Sequence, residues 1–85
     1  MVSRVVTITE AQGLHMRPAG LFARAMGAFS STVELVVDGQ HVNAKSVMAL
    51  IAASIKEGAS VEIQCEGTDE EEALAQAVQL LTPQA

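Results

Sequence analysis

The chain has 85 residues, 49% of them hydrophobic and 18% charged, which is enough apolar mass for one small core and too little length for a second domain or a deep pocket. Five Lys and Arg against ten Asp and Glu leave a net charge of −5, and that sign opposes general binding to nucleic acid. The single Cys65 excludes an internal disulfide or a cysteine zinc cluster, and the longest apolar stretch, Val47 to Ile55, is interrupted by Ser54 and falls far short of the roughly 20 residues of a membrane span.

Arg4 to Thr9 alternates, with Val6 and Ile8 on one side and Thr7 and Thr9 on the other, and predicts the first strand. Strand character begins right after Met1, with no separate apolar leader and no small-residue cleavage site, so a cytoplasmic protein is expected. Gly13 ends the exit loop. Apolar residues at positions 19, 22, 23, 26 and 29 then recur at helical spacing, and Pro18 fits the first turn of that helix because its missing N–H has no intrahelical partner to lose. Val33, Leu35 and Val37 alternate with Glu34 and Val36, and Asp38-Gly39 suits a two-residue type I′ turn into Gln40 to Asn43, giving a hairpin. Ser46 predicts the cap of a short second helix that faces inward at Val47, Leu50, Ile51 and Ile55 and is closed by Gly58. Val61, Ile63 and Cys65 against Ser60, Glu62, Gln64 and Glu66 form the cleanest strand pattern in the chain. Thr68-Asp69-Glu70-Glu71 reads as a capping box that opens a third helix, inward at Leu74, Ala77, Val78 and Leu81 and stopped before Pro83. The order is β-α-β-β-α-β-α, and apolar residues on one side of each strand imply a four-stranded antiparallel sheet with three helices on one face, an open-faced α/β (α+β) sandwich.

Chemistry concentrates at the start of the first helix. A helix N-terminus offers unpaired N–H groups and partial positive charge to an anion, and His15 stands there with Arg17 two residues on. The same end disfavours an imidazolium, which leaves a neutral, nucleophilic ring. A phosphoryl group added to that ring would be held by the turn Met16-Arg17-Pro18, through its N–H donors and the Arg17 guanidinium. Gly13 lets the preceding loop turn so that the ring faces solvent. Taken alone, a single histidine near a helix start also fits an ordinary surface residue.

The segment Gly13-Leu14-His15-Met16-Arg17-Pro18-Ala19 resembles the active-site motif of the HPr family, the histidine phosphocarriers of the bacterial phosphoenolpyruvate-dependent sugar phosphotransferase system. Length, element order, the Asn43-Ala44-Lys45-Ser46 segment and the Glu-rich start of the last helix extend the likeness over nearly the whole chain. The resemblance implies one HPr domain over residues 1–85 and a carrier that is not itself an enzyme. In that reading enzyme I, charged from phosphoenolpyruvate, phosphorylates His15 on Nδ1, the group passes to the IIA domains of sugar permeases, and Arg17 stabilises it in both transfers.

At Ser46 the resemblance implies phosphorylation by HPr kinase/phosphorylase, with a catabolite-control transcription factor as a further partner, while the residues alone equally support a plain helix cap. Met16, Gly20, Arg24, Val47 and Met48 are the candidate docking residues. Thioethers adapt to several partners and Arg24 suits acidic ones, although positions often basic in relatives are Gly27 and Ala49 here. His41 has no ligand at metal-site spacing in sequence and reads as a surface strand residue, and Cys65 reads as a buried apolar side chain. No cofactor or metal is expected, and the working form is a monomer without nucleic-acid or membrane contacts. Two alternatives share the fold: a nitrogen-related phosphocarrier, and an HPr-like regulatory binding module, which in catabolite repression lacks the histidine. A metal chaperone or RNA binder would need a Cys-x-x-Cys loop or sheet aromatics, and the sequence has neither.

Overall fold

A computed structural model describes residues 1–83 and contains β1 (Val2–Thr7), α1 (Met16–Gly27), β2 (Thr32–Val37), β3 (Gln40–Asn43), α2 (Val47–Ala52), β4 (Ser60–Glu66) and α3 (Glu70–Leu81). The strands form one antiparallel sheet in the order β1-β4-β2-β3. One face is apolar because the period of a strand is two: Val33, Leu35, Val61, Ile63 and Cys65 are buried, while Val5, Thr7 and Ser60 stay exposed. The helices cover the apolar face, α3 against β1 and β4, α2 against β3, and α1 against both other helices. Phe22 and Met26 of α1 and Leu50 of α2 reach the centre of the core, each such burial contributing about 1.5–3 kcal/mol.

The β2–β3 hairpin closes as its sequence predicts, with Asp38 at φ 51 and Gly39 at φ 79, the two left-handed positions of a type I′ turn. Besides α1, which ends at Gly27 and leaves Phe29 half-buried beyond it, three boundaries differ from expectation. The first strand spans Val2–Thr7 instead of Arg4–Thr9, because the ladder runs from Val2 opposite Cys65 to Thr7 opposite Ser60, where β4 starts. Ile8 leaves the ladder but stays pinned, donating to the Ala59 carbonyl and accepting from the Gly58 N–H, both at 2.9 Å.

The second helix stops at Ala52, with Ser54 at φ 53. Its terminator is therefore Ser54 and not Gly58, and Ile55, buried at 3% exposure, lies beyond the helix. Gly58, at φ 87, serves the turn that grips Ile8.

The third correction concerns the capping box. Asp69, not Thr68, occupies the N-cap of α3, and its carboxylate does not bond the helix. It accepts instead from the Ser30 and Ser31 N–H groups, each at 2.9 Å, and from the Ser31 hydroxyl. Those bonds, the hydroxyl's first, hold the carboxyl well below the usual carboxylate range, at about 2. Glu70 takes over the reciprocal contact, accepting from the Gly67 N–H at 3.1 Å and pairing with the Met1 amine. The inner face of α3 is Ala73, Ala77 and Leu81, with Leu74 and Val78 only half-buried. Alanines on that face let the helix lie close to the sheet.

Candidate functional site

His15 is the N-cap of α1, extended at φ −82 and ψ −174, with no hydrogen bond from its side chain to the helix. Its carbonyl accepts the Ala19 N–H at 2.9 Å, which closes the first turn. Its ring is exposed. Among the described residues the N–H groups of Met16 and Arg17 meet no backbone acceptor, as the geometry of a helix start requires. Pro18, third in the helix, has no N–H and is half-buried.

The approach to this end is set by Gly13 at φ 71, a conformation a side chain resists. A Cβ there would run into the Ile55 carbonyl oxygen and stand 2.7 Å from Lys56 Cα. The loop is thus pressed against the segment that follows α2, and the Leu14 N–H donates to the Ile55 carbonyl at 2.9 Å.

Glu10, His15, Arg17, Pro18 and Leu21 line one shallow, open cleft. The structure therefore brings together three of the residues singled out from the sequence, His15, Arg17 and Pro18. Among the described residues no ion pair involves the Arg17 side chain, which is exposed in this cleft. Glu10 was not among the candidates. The Gly13 N–H closes a turn onto the Glu10 carbonyl at 2.9 Å, and a glycine at the end of a four-residue turn was the signal that could have placed Glu10 beside the histidine. Leu21, 61% exposed, was also missed, because it lies off the buried stripe and carries no charge.

Met16 and Met48 are 68% and 74% exposed, and Arg24 is exposed in the last turn of α1. Gly20 and Val47 are half-buried, and Val47 packs against the core. Ser46 caps α2, its hydroxyl accepting from the Ala49 N–H at 3.2 Å. Next to it, Lys45 donates to the Phe29 carbonyl at 2.8 Å just past the end of α1, where a cation complements the negative pole.

His41 is exposed but has a partner, its Nδ1 standing 2.9 Å from Glu34 Oε1 across the hairpin. That neighbour comes from strand pairing and is invisible to spacing along the chain. Among the described residues no group of three or more His, Cys, Asp or Glu side chains could hold a metal ion. Cys65 is fully buried. Burial pushes its thiol above the usual range, and the nearby Glu70 and Asp69 charges push the same way.

A family model described as "PTS HPr component phosphorylation site" matches residues 2–82. The HPr-like protein Crh of Bacillus subtilis (strain 168) is 42% identical over 74 residues, 87% of this chain and 87% of that protein. The phosphocarrier protein HPr of Mycoplasma capricolum subsp. capricolum is 37% identical over 67 residues, 79% of this chain and 75% of that protein. Among solved structures, HPr from Thermoanaerobacter tengcongensis superposes with a TM-score of 0.92 at 38% identity, covering 95% of this chain and 91% of that one.

Proposed function

The chain belongs to the HPr family, and from that premise we propose that it is a phosphocarrier that takes a phosphoryl group from enzyme I onto His15 and hands it to IIA domains of sugar permeases. The observation that supports this most is the accessible imidazole at the cap of α1, in one cleft with Arg17. In the transfer, the Nδ1 lone pair of His15 attacks phosphorus, a new N–P bond forms, and the bond from phosphorus to the phosphorylated enzyme I breaks with its electron pair leaving on that donor. The charge now carried by His15 is met by the Met16 and Arg17 N–H groups and by the Arg17 guanidinium. Nothing in so open a cleft selects a small substrate, so each partner completes the site as it docks over Met16, Gly20, Arg24, Val47 and Met48. The working form is a monomer, because His15 must face successive partners. No helix among the described residues is long and apolar enough to cross a membrane, and the carrier is assigned to the cytoplasm, where phosphoenolpyruvate is made. Ser46 is the proposed regulatory site, phosphorylated by a kinase that links sugar supply to catabolite repression.

The experiment is phosphorylation of purified protein by enzyme I and labelled phosphoenolpyruvate, with the label traced to a residue. Acid-labile, base-stable label on His15, absent in His15→Ala, is expected. Label at wild-type rate in His15→Ala would end this assignment. A wild-type chain that takes no label while binding a transcription factor would favour the regulatory reading that the Crh relative brings with it.

A further inference from the structure

Among the described residues, two other than glycine hold a left-handed backbone, Asp38 at φ 51 and Ser54 at φ 53. The first is explained by the type I′ hairpin. Ser54 lies in no hairpin, yet a residue with a Cβ gives up about 1–2 kcal/mol in that conformation, and such outliers persist where the surroundings over-determine them.

Its consequence appears one residue later. The turn at Ser54 sends the Ile55 side chain into the core, at 3% exposure, and leaves the Ile55 carbonyl accepting the Leu14 N–H at 2.9 Å. Leu14, 5% exposed, immediately precedes His15. Gly13 lies flat against the same carbonyl and against Lys56 Cα. The segment 13–15 is therefore fixed to the chain leaving α2, while the His15 side chain makes no cap bond of its own.

We propose that Ser54 and Ile55 are positioning residues for His15: the left-handed turn at Ser54 aims the Ile55 carbonyl at the Leu14 N–H, and that bond fixes the direction in which the imidazole leaves the start of α1. The proposal rests on the phosphocarrier reading. Phosphoryl transfer needs attacking and leaving atoms roughly in line, and a misplacement of about 1 Å can cost on the order of 10²-fold. A main-chain anchor supplies that direction without occupying either ring nitrogen.

The test compares four full-length variants. Ser54→Gly accepts the left-handed backbone, whereas Ser54→Val opposes it with a β-branched side chain. Gly39→Val places similar strain in the β2–β3 turn as a stability control. The fourth, made by chemical synthesis, replaces Leu14 by its α-hydroxy acid and deletes only the donor.

Ser54→Gly should transfer like wild type. Ser54→Val and the hydroxy-acid form should lose about tenfold or more in kcat for phosphorylation by enzyme I, with half-saturation moved less than about twofold. Gly39→Val should melt lower yet transfer at the wild-type rate. Unchanged kcat in both Ser54→Val and the hydroxy-acid form, or an equal loss in Gly39→Val, overturns the positioning role. Residual dipolar couplings of residues 13 and 15 decide the anchor without any transfer: full size in wild type, Ser54→Gly and Gly39→Val and reduced in Ser54→Val and the hydroxy-acid form is expected, and no reduction refutes it. A wild-type chain that takes no label sinks the carrier reading alone.

Discussion

Alanine at Gly13 and alanine at Gly20 should move stability in opposite directions, although the two glycines lie within the same short segment. At Gly13 the backbone is at φ 71, which costs alanine about 1 kcal/mol or slightly more. The added Cβ would meet the Ile55 carbonyl and stand 2.7 Å from Lys56 Cα, so the two segments must part. That separation gives up the hydrogen bond from Leu14 to Ile55, about 1 kcal/mol, and loosens packing around two buried side chains for roughly as much again. The loss is about 3 kcal/mol against a total of about 4–13 kcal/mol for a chain of this length, a fall in Tm on the order of 10–25 °C. At Gly20, inside α1, an added Cβ meets nothing within 4 Å, and helix propensity returns about 0.5–1 kcal/mol, raising Tm by about 2–8 °C. Thermal melts and urea titrations followed by far-UV circular dichroism measure both. Gly13→Ala melting within about 2 °C of wild type would refute the close approach of the loop to Ile55, and a lower Tm for Gly20→Ala would place a neighbour where the structure has open space.

The Asp69 carboxyl, at about 2 when folded and about 3.9 when unfolded, contributes stability that is present above the unfolded value and lost as pH falls through the folded one. Asp69→Asn should therefore melt lower at neutral pH and fall less steeply between about pH 4 and 2; melting curves parallel to wild type over that window would show that another group titrates. Ser46→Ala deletes the acceptor of the Ala49 N–H and should cost about 1 kcal/mol. Ser46→Asp keeps an acceptor, should melt no lower than wild type, and should raise half-saturation for enzyme I through added charge; an unchanged value would remove Ser46 from the docking face. Arg17→Ala, at an exposed position, should leave Tm in place and slow transfer about tenfold or more in rapid-quench experiments, and wild-type rates would remove the guanidinium from the site.

Local forces were readable from the residues, and long-range ones were not. Asp38-Gly39 announces its turn because both residues tolerate positive φ, and Ser46 its cap because a hydroxyl two or three residues before an unpaired N–H has an obvious partner. The apolar alternation of β4 told which side is buried but not that β4 would sit between β1 and β2, since pairing order depends on contacts between segments far apart. Asp69 shows the same limit at one residue. A carboxylate at a helix start suits a cap, and only the arrival of Ser30 and Ser31, with three donors, draws it away from the helix it opens.

The site divides in the same manner. His15, Arg17 and Pro18 were legible because a helix start and its basic neighbour are contiguous in sequence. Glu10 and the Ile55 carbonyl were not, because a turn and a distant loop bring them to the histidine. Gly58 was expected to end α2 on the strength of glycine's preference for that position. Burial of Ile55 decided otherwise, since the helix had to stop at Ala52 for the next residues to turn that side chain inward and its carbonyl toward Leu14. The residues proposed to carry the phosphoryl group, His15 and Arg17, are thus neighbours in the sequence, whereas the anchor proposed to orient the imidazole depends on where another helix ends.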